Sequence, residues 1–161
     1  MTLAEKQHVY RVSVEWLGNR GVGTVDYASY GRDHLITAPG KPEIAGSSDP
    51  AFRGNPQRWN PEDLLLASIS ACHKLWYLSL CARAGVCVLT YLDDAEGTMI
   101  EAPGAGRFVR AVLRPQITIR AGDDIELAMR LHREAHANCF IANSVNFPIE
   151  CEPQIMAMAP S

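Results

Sequence analysis

Two cysteines in this chain stand where thiol chemistry could be done. Cys72 lies inside the apolar run LLLASISACHKLWYLSLC and is followed by His73 and Lys74. Cys139 comes three residues after His136 and seven after His132. At 3.6 residues per turn His132, His136 and Cys139 share one helix face, the spacing of a three-ligand metal site. The plainer reading of the histidines is residence near a helix C-terminus, where positive charge is favoured. A nucleophilic thiol must first become a thiolate. Burial opposes this, and a mid-helix residue has no free backbone N–H groups to offset burial, so a reactive Cys72 needs a cation from elsewhere. Arg20, Arg53 and Arg58 are the upstream candidates. The other three thiols read as core filler. Cys81 is nine residues from Cys72 and falls on the opposite helix face, and Cys87 opens a strand. Cys151 shares strand parity with Phe147 and Ile149, so it points inward.

The elements that must position these groups are written in turn and cap residues. Asn60-Pro61-Glu62-Asp63 is a helix start: Asn at the cap, Pro in the first turn, and two carboxylates on the helix dipole. That helix is predicted over residues 61–84 and stops at Gly85. It is apolar on nearly every face, which predicts burial. A second helix is predicted over 124–142. Strands are expected at 8–16 and 23–30, joined by the turn Gly18-Asn19-Arg20-Gly21. Others follow at 34–37, 86–99, 107–120 and 147–156. Residues 38–60, rich in Gly, Pro, Ser and Asp, form a long loop, a length that often marks function. The order ββ(β)-α-ββ-α-β predicts an α+β fold with antiparallel sheets and two main helices, not a doubly wound sheet.

Composition narrows the classes. At 161 residues the chain is read as one domain, 1–161, large enough to fold without disulfide or metal staples. Hydrophobic residues at 47% and charged residues at 20% describe a soluble globular chain. A net charge of -3 argues against nucleic acid or an anionic membrane as partner. No stretch is read as the run of apolar residues a membrane span requires, and residues 1–10 lack a signal-peptide core. Five cysteines with no such signal and no C-x-x-C pair point to a reducing, cytoplasmic setting rather than a disulfide framework.

With these motifs in place the chain resembles the OsmC/Ohr family of thiol-dependent peroxidases, specifically its OsmC-like branch. The first motif is Asn60-Pro61-Glu62-Asp63-Leu64-Leu65 followed by Ala71-Cys72. The second is Ala135-His136-Ala137-Asn138-Cys139 followed by Asn143-Ser144-Val145. Trp16-Leu17-Gly18, Gly21 and Gly23-Thr24-Val25 are similar to the branch's N-terminal hairpin. His73 stands where an apolar residue is common in the family, and Phe140 replaces the usual proline.

The resemblance implies an intertwined homodimer that reduces organic hydroperoxides, with no metal or organic cofactor and a small thiol or lipoylated protein as reductant. It makes Cys72 the attacking residue, Cys139 the resolving one, Glu62 the assisting glutamate and Arg53 the nearest match to the assisting arginine. Trp59, Leu65, Trp76 and Phe140 are candidates for an apolar substrate lining. Glu62 and Cys72 are ten residues apart on one helix, a rise of about 15 Å with the side chains turned about 80° apart. Glu62 is therefore expected to serve the Cys72 of a second copy. The alternative from another class is a non-catalytic ligand- or metal-binding protein that uses His132, His136 and Cys139.

Overall fold

In the computed structural model, residues 6–159 are described. Residues 1–5, half of the segment read above for a leader, lie outside them. The chain divides into two compact units, Met1–Leu64 and Leu65–Ser161.

The first unit is built on an antiparallel sheet of β1 (Ser13–Trp16), β2 (His34–Thr37) and β3 (Ile44–Gly46), with Trp16 opposite His34. The strand expected at 8–16 is thus confined to its last four residues. The strand expected at 23–30 does not form. The reason is local: Asn19 Oδ1 accepts from the backbone N–H of Gly21 and Gly23, and Asp26 Oδ1 accepts from Ala28 N–H. Such side chains satisfy the donors that strand pairing would use. The expected loop 38–60 holds β3 and a short 3-10 turn, Pro50–Phe52, capped by Asp49.

The helix α1 (Pro61–Ala84) begins and ends as its caps dictate. Asn60 Oδ1 accepts from Asp63 N–H at 2.8 Å. At the other end Gly85, at φ 79°, lets Val86 N–H reach Cys81 O and Gly85 N–H reach Ala82 O. That double closure needs a residue free to adopt positive φ. Within the chain α1 is not buried all round, contrary to the expectation from its composition. Only the stripe Ile69, His73, Tyr77 and Cys81 is buried, and Leu75 is 63% exposed. Fourfold spacing presents one face to the sheet. By length and hydropathy α1 would also suffice to cross a membrane. The apolar core helix of a globular chain meets the same criterion, and the buried stripe of α1 packs in such a core.

Six strands form two three-stranded sheets in the second unit. β4 (Val88–Asp93), β7 (Pro115–Ile119) and β9 (Gln154–Ala157) make one, in the order β4-β7-β9. β5 (Glu96–Ile100), β6 (Arg107–Leu113) and β8 (Ile149–Cys151) make the other, in the order β5-β6-β8. Each strand predicted at 86–99, 107–120 and 147–156 is therefore broken in two. Asp93 fixes one break by accepting from Arg114 N–H at 2.7 Å and from the Ser70 hydroxyl. Pro153, with no N–H to give a ladder, separates β8 from β9. The antiparallel expectation holds for β4/β7 and β5/β6, but β6/β8 and β7/β9 are parallel. The chain returns to the sheets through a second helix, α2 (Ile125–Asn138), and a crossover of that kind delivers a parallel strand. The core joins Tyr77 and Cys81 of α1 to Ile117 and Ile119 of β7 and to Ala128, Leu131 and Ala135 of α2.

Candidate functional site

The α2 helix starts on an Asp124 cap that accepts from Leu127 N–H, and its buried face is Ala128, Leu131, His132 and Ala135. It ends at Asn138, short of the predicted 142, because the chain turns extended at Cys139 (φ -69°, ψ 110°). Cys139 continues the buried face and is 1% exposed. Its Sγ accepts from Ala142 N–H at 3.4 Å.

Cys72 is half-buried on α1. The structure places the Cys72 thiol near enough to Cys139 to act on its ionisation. Burial first, and that neighbour second, push the Cys139 thiol up to about 11, so it is protonated at neutral pH. One turn beyond Cys72, Trp76 meets Phe140 edge to face, with ring centroids 5.5 Å apart. Two of the four expected apolar lining residues thus meet in one aromatic contact.

Of the other expected site residues, Arg20, Arg53, Arg58, Trp59 and Glu62 lie in the unit Met1–Leu64, and Leu65 opens the second unit. Arg53 caps the 3-10 turn and is the one described non-glycine residue with positive φ, 66°. That conformation costs on the order of 1 kcal/mol or more and is common at functional positions. Its guanidinium lies 5.9 Å from the Tyr27 ring centroid. Glu62 is half-buried in the first turn of α1. Arg58 pairs with Asp33 at 3.3 Å. Arg20 reaches toward Gly31. Trp59, another expected lining residue, is 53% exposed and bridges to Gly46.

The expected His132, His136 and Cys139 set does not converge. Cys139 is turned to Cys72, His136 is exposed, and His132 meets residues of other elements. His132 Nδ1 lies 3.0 Å from His73 Nε2, and Cys151 Sγ is 3.7 Å from each. By sequence alone Cys151 reads as filler and His73 carries no assigned role. The available signal was direction: His73 is on the buried stripe of α1, His132 on the buried face of α2, and Cys151 has inward strand parity.

Both histidines are held neutral. Burial first, and then the charge of His136 on His73 and of His73 on His132, lower His73 to about 4 and His132 to about 3. Stability should therefore be full above pH 6.5. As pH falls below that value the unfolded chain takes up protons that the folded chain refuses. The expected loss is up to about 1.4 kcal/mol per pH unit for each histidine, continuing toward pH 4. Urea unfolding midpoints measured with EDTA between pH 7 and 5 test this, with His132→Gln flattening the slope. A wild-type stability that does not fall over that range would contradict the neutral pair.

The comparisons with known proteins agree on the class. Residues 54–154 match the model of the OsmC-like protein family. An OsmC-like protein of unknown function from Vibrio cholerae superposes with a TM-score of 0.80 at 29% identity, covering 93% of this chain and 100% of that one. An organic hydroperoxide resistance protein from Elizabethkingia anophelis shares the fold, with a TM-score of 0.66 at 20% identity over 95% of this chain and 100% of that one. The uncharacterized protein YmaD of Bacillus subtilis is 23% identical over 149 residues, 90% of this chain and 91% of that protein. Two helices against antiparallel and mixed sheets define an α+β protein of OsmC-like fold. The chain belongs to the OsmC-like family, whose wider OsmC/Ohr group includes organic hydroperoxide resistance proteins.

Proposed function

We propose that this protein is a thiol-dependent peroxidase that reduces organic hydroperoxides to alcohols. The observation that carries the reading is the proximity of Cys72, on α1, to Cys139, at the C-terminal end of α2. In the first step the Cys72 thiolate attacks the peroxide O–O bond. Cys72 becomes a sulfenic acid, and the alkoxide takes a proton and leaves as the alcohol. Cys139 then attacks the sulfenic sulfur, forming a disulfide and releasing water. A dithiol or lipoylated protein returns both residues to thiols. The raised pKa of Cys139 favours this division of labour, because a protonated thiol waits while its neighbour attacks.

In the same reading Arg53 favours the thiolate and stabilises the departing alkoxide, and Glu62 orients the guanidinium. The Trp76–Phe140 contact supplies apolar surface suited to an alkyl or aryl peroxide. The working form is a homodimer. Apolar α1 residues left open within one chain, Leu75 among them, are the kind of surface a second copy covers. A reducing cytoplasm suits five free thiols.

One substoichiometric exposure of reduced protein to cumene hydroperoxide should yield an intramolecular Cys72–Cys139 disulfide on peptide mapping. In Cys139→Ser, excess peroxide should instead carry Cys72 to the sulfinic acid. A disulfide mapped to Cys81, Cys87 or Cys151 would overturn the assignment.

A further inference from the structure

The cluster of His73, His132 and Cys151 takes no part in the peroxidase reading and has its own geometry. We propose that these three residues form a binding site for one zinc-class transition-metal ion, with a fourth coordination position open to the adjoining cleft.

The three donor atoms lie within 4.8 Å of one another. Their separations are 3.0 Å between the nitrogens and 3.7 Å from the sulfur to each nitrogen. A tetrahedral zinc ion with Zn–N of about 2.05 Å and Zn–S of about 2.3 Å requires edges of about 3.3 Å and about 3.6 Å. The donors therefore need shifts of only a few tenths of an ångström to take the ion. Without an ion, the 3.0 Å contact between His73 Nε2 and His132 Nδ1 is a hydrogen bond that uses one ring proton, and an incoming ion takes the place of that proton. Neutral rings present the lone pairs that a metal needs.

The donor set comes from three elements and is held by packing. His73 stands on α1, His132 on α2 and Cys151 on β8. His132 is stacked on Tyr77 at 3.9 Å between centroids, and the His73 and His132 rings are within 4° of parallel. Preorganisation of this kind lowers the cost of assembling the site. His132 Nε2, the ring nitrogen turned away from this cluster, is buried without a hydrogen-bond partner.

The cleft supplies an entry path. It has a volume of about 530 Å³ and is lined by His132, Cys151, His136 and Met129 among others. Two imidazoles and one thiolate with an open position match the composition of His/Cys zinc sites that bind a water or a small ligand. The exposed His136, on the cleft wall, is placed to approach that position. The mixed nitrogen and sulfur set disfavours magnesium and calcium, which take oxygen. The site is also separate from the proposed thiol pair. His73 follows Cys72 in sequence, yet one residue turns the side chain about 100° around the helix.

The test uses full-length protein without a polyhistidine tag, treated with chelator and titrated with zinc and, as a spectroscopic probe, with cobalt(II). One ion should bind per chain, with a thiolate-to-cobalt charge-transfer band. Zinc should raise the melting temperature of the wild-type protein, since the ion ties α1, α2 and β8 together. Cys151→Ser should abolish the charge-transfer band, and His132→Gln should weaken zinc binding by more than about tenfold, the lower bound for disturbing even an outer-shell group. Cys72→Ser, which removes the proposed peroxidase nucleophile, should bind as the wild type does, so failure of either reading is seen separately. A wild-type chain that binds neither ion would overturn the site. So would a charge-transfer band that survives Cys151→Ser but disappears with Cys139→Ser.

Discussion

Cys72→Ser should lower turnover of cumene hydroperoxide by on the order of a thousand-fold or more, the scale seen when a covalent nucleophile is removed. A serine hydroxyl is not ionised at neutral pH and does not attack peroxide oxygen, whereas a thiolate does. The fold should survive. Cys72 is only half-buried, and serine is nearly isosteric with it. Far-UV circular dichroism and the urea midpoint should stay close to wild type while peroxide consumption, with dithiothreitol or dihydrolipoamide as donor, collapses. Arg53→Ala should also cripple turnover with the fold intact. Full activity in Arg53→Ala would move the cationic role to Arg20 or Arg58. A Cys72→Ser protein that keeps more than about a tenth of wild-type turnover would end the peroxidase assignment at this residue.

Tyr77→Ala should have the opposite signature, a large loss of stability. Tyr77 is fully buried at the centre of the α1 stripe, stacked on His132 and tilted against Tyr91 with centroids 6.0 Å apart. Truncation of such a ring removes its burial and leaves a cavity, at a cost of about 3–5 kcal/mol. Tyr77→Phe separates the ring from the hydroxyl. The Tyr77 hydroxyl has no hydrogen-bond partner among the described residues, so its removal should change stability by less than about 1 kcal/mol. Chemical unfolding reads both. A loss beyond about 2 kcal/mol in Tyr77→Phe would mean that the hydroxyl makes a hydrogen bond in the folded protein.

Some elements were legible because one short segment held all the physics. The α1 helix is the clearest case: the Asn60 cap, Pro61 and the Gly85 stop are local devices, and the observed ends are those the devices specify. The strand expected at 23–30 failed for the same kind of reason, read the wrong way. Its apolar residues suggested pairing, while Asn19 and Asp26 were already offering oxygens to the backbone N–H groups nearby. Breaks within long strands were harder to read. The break before β7 depends on Asp93, which receives Arg114 N–H and the Ser70 hydroxyl from distant parts of the chain.

The amino-acid sequence by itself determined the α+β class, the two helices and the family, since these rest on caps, periodicity and two cysteine motifs that each span a few residues. It did not determine which polar groups meet. His132 was grouped with His136 and Cys139 because helical spacing is the only proximity a sequence displays. In the folded chain the buried face of α2 meets the buried stripe of α1 and the inner side of β8. His132 therefore faces His73, 59 residues away, and Cys151, 19 residues away. Parallel pairing of β8 and β9 was decided at the same level, by the α2 crossover that returns the chain to the sheets. Contacts between elements depend on how those elements pack, and that arrangement is a property of the tertiary structure alone.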